Sequence, residues 1–183
     1  IPPKQTLSLA QDLYTTGLIS YPRTSSQKLP PSINYKKIFG KLEKQNSYSN
    51  LVKQLPSSLK PFEGKKSDSA HPAIYPTGEF SKLDGRKASL YDLIVRRFFS
   101  VFGPFAKRET MTIEIDVNKE IFIAKGTRTL ERGWHIFYGR YLKLKEEELP
   151  DVKKDEEVKS IKIKLHEKET QPPKRYTPAS IIK

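Results

Sequence analysis

The sequence predicts an α+β fold in which a mostly helical, mixed α/β part comes first and an antiparallel β segment follows. In the first hundred residues, apolar side chains recur every three or four positions, which is the period of an amphipathic helix. After residue 105 the pattern changes to strict alternation, typical of a half-buried strand. We therefore expect a helical domain over residues 1–105, a β segment over 106–170, and the start of a further domain over 171–183.

The first helix is predicted over about three turns near the start of the chain. Its apolar residues share one helical face: Leu7, Ala10, Leu13 and Tyr14. Gly17 follows as a suitable C-cap, because glycine tolerates the left-handed conformation in which many helices end. The short apolar run after it predicts a strand over residues 19–21, so that the helix gives Tyr21 a rigid support.

Three further helices are predicted before residue 105. The second begins after Pro31 and has these apolar residues: Ile33, Ile38, Phe39 and Leu42. The third ends at Pro56, because proline cannot continue a helix, and its apolar residues are Tyr48, Leu51, Val52 and Leu55. Residues 56–87 lack periodicity and are predicted to form a loop. The fourth helix, over residues 87–101, has the strongest amphipathic pattern and is closed by Gly103-Pro104.

The β segment is predicted to begin with a hairpin. The apolar residues of its first strand alternate with polar ones: Met111, Ile113, Ile115 and Val117. Asn118-Lys119 forms the turn, and a second strand contains Ile121 and Ile123. Beyond a charged linker at residues 145–157, a later strand is predicted from Ile161, Ile163 and Leu165, and residues 175–183 are predicted to start a helix.

The composition restricts the classes of partner and site. The net charge of +13 and pI of about 9.7 are typical of a polyanion binder, although lysines on solvated faces would give the same total. The absence of cysteine excludes disulfides and thiolate metal sites, and the three histidines are scattered. No apolar stretch reaches the ~20 residues that cross a bilayer, so we expect a cytoplasmic protein.

Tyr21 is the first candidate for a reactive side chain, because Arg23 lies two residues after it. Ionising a free tyrosine at pH 7 costs roughly 4 kcal/mol, since its pKa is near 10. An arginine about 5 Å away, at an effective dielectric near 20, would offset on the order of 3 kcal/mol. Pro22 restricts the backbone between them. The pair could therefore attack a phosphodiester, or could be an ordinary strand end beside a solvated arginine.

His71 is the second candidate. It precedes a proline in the polar loop of residues 67–77, where an imidazole can contact a phosphate or transfer a proton near neutral pH. A loop histidine can equally be merely solvated. His135 and His166 lie in strand-like surroundings and are predicted to be structural.

Four ordered motifs together carry a family resemblance. They are Gly17-Leu18-Ile19-Ser20-Tyr21-Pro22-Arg23-Thr24; Ala70-His71-Pro72-Ala73-Ile74-Tyr75-Pro76-Thr77; Leu90-Tyr91-Asp92-Leu93-Ile94 with Arg96-Arg97-Phe98; and Gln171-Pro172-Pro173-Lys174-Arg175-Tyr176-Thr177. In order and spacing the chain resembles type IA DNA topoisomerases. The sequences of the first two motifs are most similar to those of the archaeal topoisomerase I/III branch, and less similar to those of the topoisomerase half of reverse gyrase.

The resemblance implies residue roles. Tyr21 matches the nucleophile that cleaves one DNA strand and stays joined to the 5′ phosphate while another strand passes, which relaxes negatively supercoiled DNA. Arg23 matches the arginine beside the scissile phosphate, and His71 matches a histidine that contacts the DNA backbone. Further DNA contacts are expected at Gln11, Thr24, Arg96 and Arg97. Two positions depart from the common pattern, since Thr15 and Ser25 stand where many members have acidic residues.

The resemblance also implies components outside this chain. Mg²⁺ would be bound by a Toprim domain, which is not recognisable here, and most of the DNA-gate domain would follow Lys183. The chain alone is therefore expected to bind no metal and not to relax DNA. The expected partners are single-stranded or underwound DNA and a helicase or another DNA-processing protein. The topoisomerase itself is expected to be a nucleoid-associated monomer that involves no membrane.

Two other classes of protein are alternatives. A tyrosine recombinase also uses tyrosine and arginine, but it joins DNA through a 3′ phosphate and its tyrosine follows its histidine and arginines in sequence. A non-catalytic single-strand binder would need exposed stacking rings on a basic surface. One group of aromatic residues could serve: Phe122, Trp134, Phe137 and Tyr138.

Overall fold

The computed structural model describes residues 1–159 and 164–181. Its elements in order are α1 (Pro3–Thr15), α2 (Tyr35–Glu43), α3 (Ser49–Val52), α4 (Gly85–Ser100), β1 (Lys107–Val117), β2 (Glu120–Glu131) and α5 (His135–Tyr138), followed by a 3₁₀ turn (Gly139–Tyr141). β1 and β2 form an antiparallel two-stranded sheet. The predicted α+β class, with helices first and an antiparallel β segment after them, is confirmed.

The chain divides into two compact units. The first contains Ile1–Lys107 and Glu131–Lys143, and the second contains Arg108–Leu130 and Leu144–Lys183. Residues 131–143, which the sequence suggested were part of the β segment, thus return to the helical unit. They do so because Phe137 stacks on Phe99, with ring centroids 6.1 Å apart, and the Trp134 amide donates to the Pro104 carbonyl.

The core of the first unit is aromatic and is built around α4. The Phe39 ring of α2 lies 5.0–5.2 Å from the rings of Phe98, Phe99 and Phe102. Fully burying one such side chain stabilises the fold by about 1.5–3 kcal/mol. The amphipathic pattern of α4 therefore supplies the surface on which α2 and α5 pack.

α1 ends in a Schellman motif, which sets the path of the chain toward Tyr21. Gly17 has φ +72°, its amide donates to the Tyr14 carbonyl at 2.8 Å, and the Leu18 amide donates to the Leu13 carbonyl at 2.9 Å. Leu13 and Leu18 are both buried, which is the hydrophobic contact that accompanies this motif. The predicted glycine cap of the first helix is confirmed.

The predicted strand over residues 19–21 is reduced to one antiparallel bridge, between Ile19 and Pro76. The Ser20 amide donates to the Tyr75 carbonyl at 2.9 Å, and the Thr77 amide donates to the Leu18 carbonyl at 3.0 Å. Pairing stops there because proline has no amide hydrogen to donate, and Pro22 follows Tyr21 directly. Tyr21 therefore lies just beyond the bridge rather than in a strand.

The second unit is the hairpin with the segment that follows its base. Asn118 and Lys119 have φ of 54° and 72°, as a two-residue type I′ turn requires, so the predicted hairpin is confirmed. The charged linker lies along β2, where the Glu147 amide donates to the Thr127 carbonyl at 3.0 Å. Arg128 pairs with two carboxylates, and these bonds raise its pKa.

Several other sequence expectations have different outcomes. Ile161 and Ile163 of the predicted later strand lie outside the described residues, while Leu165 is fully exposed and belongs to no strand. Within residues 175–181 the chain makes a single turn closed by Thr177 and Ser180, not a helix. His135 begins α5 and is buried, so its predicted strand-like setting is wrong, and His166 is exposed outside any strand. No helix in the described part of the chain is long and apolar enough to cross a membrane.

Candidate active site at Tyr21

The Tyr21 ring lies among aromatic side chains that come from different parts of the first unit. The His71 ring is tilted against it at 46°, with the ring centroids 4.5 Å apart. The Tyr14 ring, from the last turn of α1, meets it edge-on with centroids 5.3 Å apart and an interplanar angle of 73°. The fold thus brings the two candidate residues, Tyr21 and His71, into direct contact.

Hydrogen bonds join the loop after Tyr21 to the loop before His71. The Thr24 hydroxyl donates to the His71 carbonyl at 3.3 Å, and the Ser25 hydroxyl donates to the Asp68 carboxylate at 3.3 Å. The same carboxylate accepts the amides of Ala70 at 2.8 Å and His71 at 3.2 Å. These two backbone bonds are the main cause of an Asp68 pKa below its usual range.

The two motifs are also joined on the other side of Tyr21. The Tyr75 amide donates to the Ser20 hydroxyl at 3.0 Å, and the Thr77 hydroxyl donates to the Gly17 carbonyl at 2.6 Å. With the bridge at Ile19, these bonds fix residues 17–20 to residues 75–77. Tyr21 is therefore held between two fixed points, one before it in the chain and one after it.

Arg23 is exposed two residues after Tyr21. Among the ion pairs of residues 1–159 and 164–181, none involves its guanidinium. An arginine without a carboxylate partner has its charge and its planar fork of N–H donors available for a phosphate. Tyrosine, arginine and imidazole together can supply a nucleophile, a phosphate-binding cation and a hydrogen-bond donor.

The other predicted DNA-contacting residues differ in how available they are. Gln11 is partly exposed on α1, one turn before Tyr14. On α4, the Arg96 guanidinium binds both oxygens of Asp92 at 3.1 Å, whereas Arg97 is exposed and takes part in no ion pair of the described residues. The charge of Arg97 is thus free for an external anion, while that of Arg96 is largely neutralised.

A family model for DNA topoisomerases matches the chain over residues 1–183. This chain belongs to the type IA DNA topoisomerase family. Its archaeal relatives, each named DNA topoisomerase 1, confirm the branch that the motifs indicated. The protein of Pyrococcus horikoshii is 46% identical over 99% of this chain and 27% of its own length. Those of Methanothermobacter thermautotrophicus and Methanocaldococcus jannaschii are 45% and 46% identical over 99% and 100% of the chain. The chain spans about a quarter of the length of these relatives.

Two residues at the candidate site were missed in the sequence. Asp68 could have been found, because an aspartate often accepts the amides two and three residues after it and so fixes a turn. Tyr14 could not, because its spacing assigned it to the apolar face of α1, yet it is 40% exposed and its ring contacts Tyr21. Thr15, one of the two positions that depart from the family pattern, donates its hydroxyl to the Asp12 carbonyl within the helix.

The aromatic group required by a stacking single-strand binder is only partly exposed. Phe122 is 53% exposed, whereas Phe137 is 1% exposed in the core of the first unit. Trp134 packs edge-on against its neighbours His135 and Tyr138. A base cannot stack on a buried ring, so this family member offers little support for that alternative.

The described residues do not fit the Mg²⁺ that the family resemblance implies. Mg²⁺ in nucleic-acid enzymes is held by carboxylates together with substrate phosphates. Among residues 1–159 and 164–181, no group of three or more histidines or carboxylates is placed to hold a metal ion.

Proposed function

We propose that this chain is the tyrosine-bearing part of a type IA topoisomerase that breaks one DNA strand by transesterification. The contact between the Tyr21 and His71 rings is the observation that carries the proposal. It is supported by Arg23, which is exposed two residues after Tyr21 and has no carboxylate partner in an ion pair of the described residues. Membership of the family supports the same assignment.

In the proposed reaction, the Tyr21 oxygen loses its proton and attacks a backbone phosphorus. A bond forms between phosphorus and the Tyr21 oxygen, and the bond from phosphorus to the 3′ oxygen breaks. The 3′ oxygen leaves with a proton as a hydroxyl group, and the 5′ phosphate remains on Tyr21. Religation is the reverse transfer. The reaction conserves the number of phosphodiester bonds, so it needs no external energy source.

Arg23 and His71 have different roles in this proposal. The Arg23 guanidinium binds the non-bridging phosphate oxygens and offsets the charge that develops during attack. His71 contacts the DNA backbone and limits the orientations that the Tyr21 ring can adopt. Thr24, whose hydroxyl binds the His71 carbonyl, keeps the two loops in register.

The proposed substrate is a single-stranded or underwound segment of DNA. The chain has a net charge of +13, and binding of a polyphosphate releases counterions, which favours such a complex. Passage of a second strand through the break would relax negative supercoils in the complete protein. The protein is proposed to act as a monomer, with helicases among its possible DNA-processing partners.

The decisive experiment maps the covalent adduct formed by the full-length protein on a single-stranded oligonucleotide. Wild type is expected to retain the 3′-labelled fragment, because that fragment carries the 5′ phosphate, and Tyr21→Phe is expected to retain none. Tyr138→Phe, which also removes one hydroxyl from the first unit, is the matched control and should keep the adduct. Retention of the 5′-labelled fragment would indicate a 3′ linkage and a recombinase-like enzyme, and any adduct in Tyr21→Phe would disprove the assignment.

A further inference from the structure

Asp68 is the point at which the two loops of the site are connected through one side chain. One carboxylate oxygen accepts the Ala70 and His71 amides, at 2.8 and 3.2 Å, and the other accepts the Ser25 hydroxyl at 3.3 Å. Ser25 follows Tyr21 by four residues, and His71 carries the ring that contacts Tyr21. The carboxylate therefore bonds to the segments on both sides of the ring contact.

Asp68 is placed to restrict motion rather than to stabilise the core. It lies at the surface of the first unit, where water can replace a lost hydrogen bond, so its loss would cost little folding free energy. A displacement of a reacting group by about 1 Å, in contrast, can slow a reaction on the order of a hundredfold. An acceptor that fixes the backbone of His71 thus has its main effect on geometry.

The ionisation of Asp68 suits this task. The amide donors of Ala70 and His71 lower its pKa, so the carboxylate is charged at neutral pH and has lone pairs for all three donors. A charged acceptor forms stronger and shorter hydrogen bonds than a neutral one. In an Asp68→Asn variant, the side-chain amide could still accept the two backbone hydrogen bonds through its one oxygen, but without the charge.

We propose that Asp68 is a positioning residue for DNA cleavage, whose carboxylate holds His71 against Tyr21 by joining the His71 backbone to Ser25. This proposal rests on the proposed function of Tyr21, because the contact between the His71 and Tyr21 rings matters for cleavage only if Tyr21 is the nucleophile. In this proposal Asp68 neither contacts the DNA nor transfers a proton.

The test separates binding from cleavage in the full-length protein. Single-turnover cleavage of a single-stranded oligonucleotide is measured for wild type and Asp68→Ala, and the Kd for the same oligonucleotide is measured with Tyr21→Phe added to each. Asp68→Ala is expected to slow cleavage roughly tenfold or more, since the geometry of the reacting group changes. The Kd is expected to change much less than the cleavage rate, because Asp68 itself contacts no phosphate and only the single backbone contact of His71 is weakened.

Three further variants complete the test. Asp68→Asn is expected to recover part of the cleavage rate, since it keeps an acceptor for the backbone amides. Ser25→Ala removes only one hydrogen bond and is expected to cause a smaller loss, which keeps the proposal testable if Asp68→Ala fails to fold. Asp84→Ala is the matched control, because this exposed aspartate at the start of α4 makes no side-chain capping bond.

Two results would overturn the proposal. Cleavage by Asp68→Ala at the wild-type rate would show that the carboxylate does not position the site. A parallel loss of binding and cleavage in Asp68→Ala, with Asp68→Asn no better, would show a purely structural role. Both results are distinguishable from failure of the proposed function, which would appear as an adduct that persists in Tyr21→Phe.

Discussion

At the scale of single residues, Tyr14 provides a test of how the Tyr21 ring is held. Its ring meets Tyr21 edge-on while Tyr14 remains 40% exposed. We therefore expect Tyr14 to act by orienting Tyr21 rather than by stabilising the core. An aromatic pair of this kind contributes about 1 kcal/mol. If that free energy orients Tyr21 for attack, Tyr14→Ala should slow single-turnover cleavage about fivefold. Tyr14→Phe, which keeps the ring, should cleave at nearly the wild-type rate.

Leu7→Ala is the matched control for Tyr14, because Leu7 lies on the same helix and is 39% exposed. It should leave cleavage unchanged. Equal rates for Tyr14→Ala and Leu7→Ala would mean that the Tyr14 ring does not orient Tyr21.

The sequence predicted some site residues and missed others for a physical reason. Tyr21 and His71 were found because each has distinctive neighbours in its own motif. Their contact with each other depends on the bridge between Ile19 and Pro76, which is a long-range pairing that no local pattern encodes. The contact of Tyr14 with Tyr21 and the bond of Ser25 to Asp68 are also tertiary contacts, so they became visible only in the folded chain, although the turn that Asp68 fixes has a local signal.

At the scale of elements, Asp92 joins α4 to residues 131–143. Its carboxylate is 14% exposed and binds Arg96 of its own helix at 3.1 Å. It also accepts from the Arg140 guanidinium at 2.8 Å and from the Tyr141 hydroxyl at 2.9 Å. Burial, with a smaller contribution from Asp92, raises the pKa of Tyr48 in the neighbouring core.

Asp92→Ala should therefore loosen residues 134–142 while α4 remains formed. Removing one acceptor from a partly buried charged network costs roughly 2 kcal/mol, which corresponds to about thirtyfold faster opening. Hydrogen exchange followed by mass spectrometry should show faster exchange in peptides covering 134–142 and no change at the hairpin turn. Asp84→Ala, at the start of the same helix, should change neither region. Unchanged exchange in Asp92→Ala would show that this network does not hold residues 134–142 in place.

Secondary-structure elements were predicted best where the local sequence alone determines them. The period of α4 and the Asn118-Lys119 turn are local signals, and both agree with the structure. The return of residues 131–143 to the helical unit was missed, because it depends on Phe137 meeting Phe99 and on Gly103. A side chain at Gly103 would come within 2.8 Å of the Trp134 backbone, so close packing there is specific to glycine.

At the scale of the whole molecule, in the proposed complex with DNA, the net charge of +13 would be divided between residues that contact phosphates and lysines that stay solvated. Salt dependence makes this division measurable, because each phosphate contact to a single strand contributes about −0.7 to the slope of log K against log salt concentration. Net charge alone does not measure this division, since a lysine that contacts no phosphate releases no counterion on binding. Salt dependence can therefore show whether an individual basic residue contacts a phosphate or stays solvated.

Arg97 is expected to be a phosphate contact, because it is exposed and takes part in no ion pair of residues 1–159 and 164–181. In full-length protein carrying Tyr21→Phe, Arg97→Ala should weaken oligonucleotide binding and reduce the steepness of the salt slope by about 0.7. Lys53→Ala removes the same charge from an exposed position after α3 and should leave the slope unchanged. If both variants reduced the slope equally, attraction would come from the overall field of the protein rather than from a defined DNA path along α4.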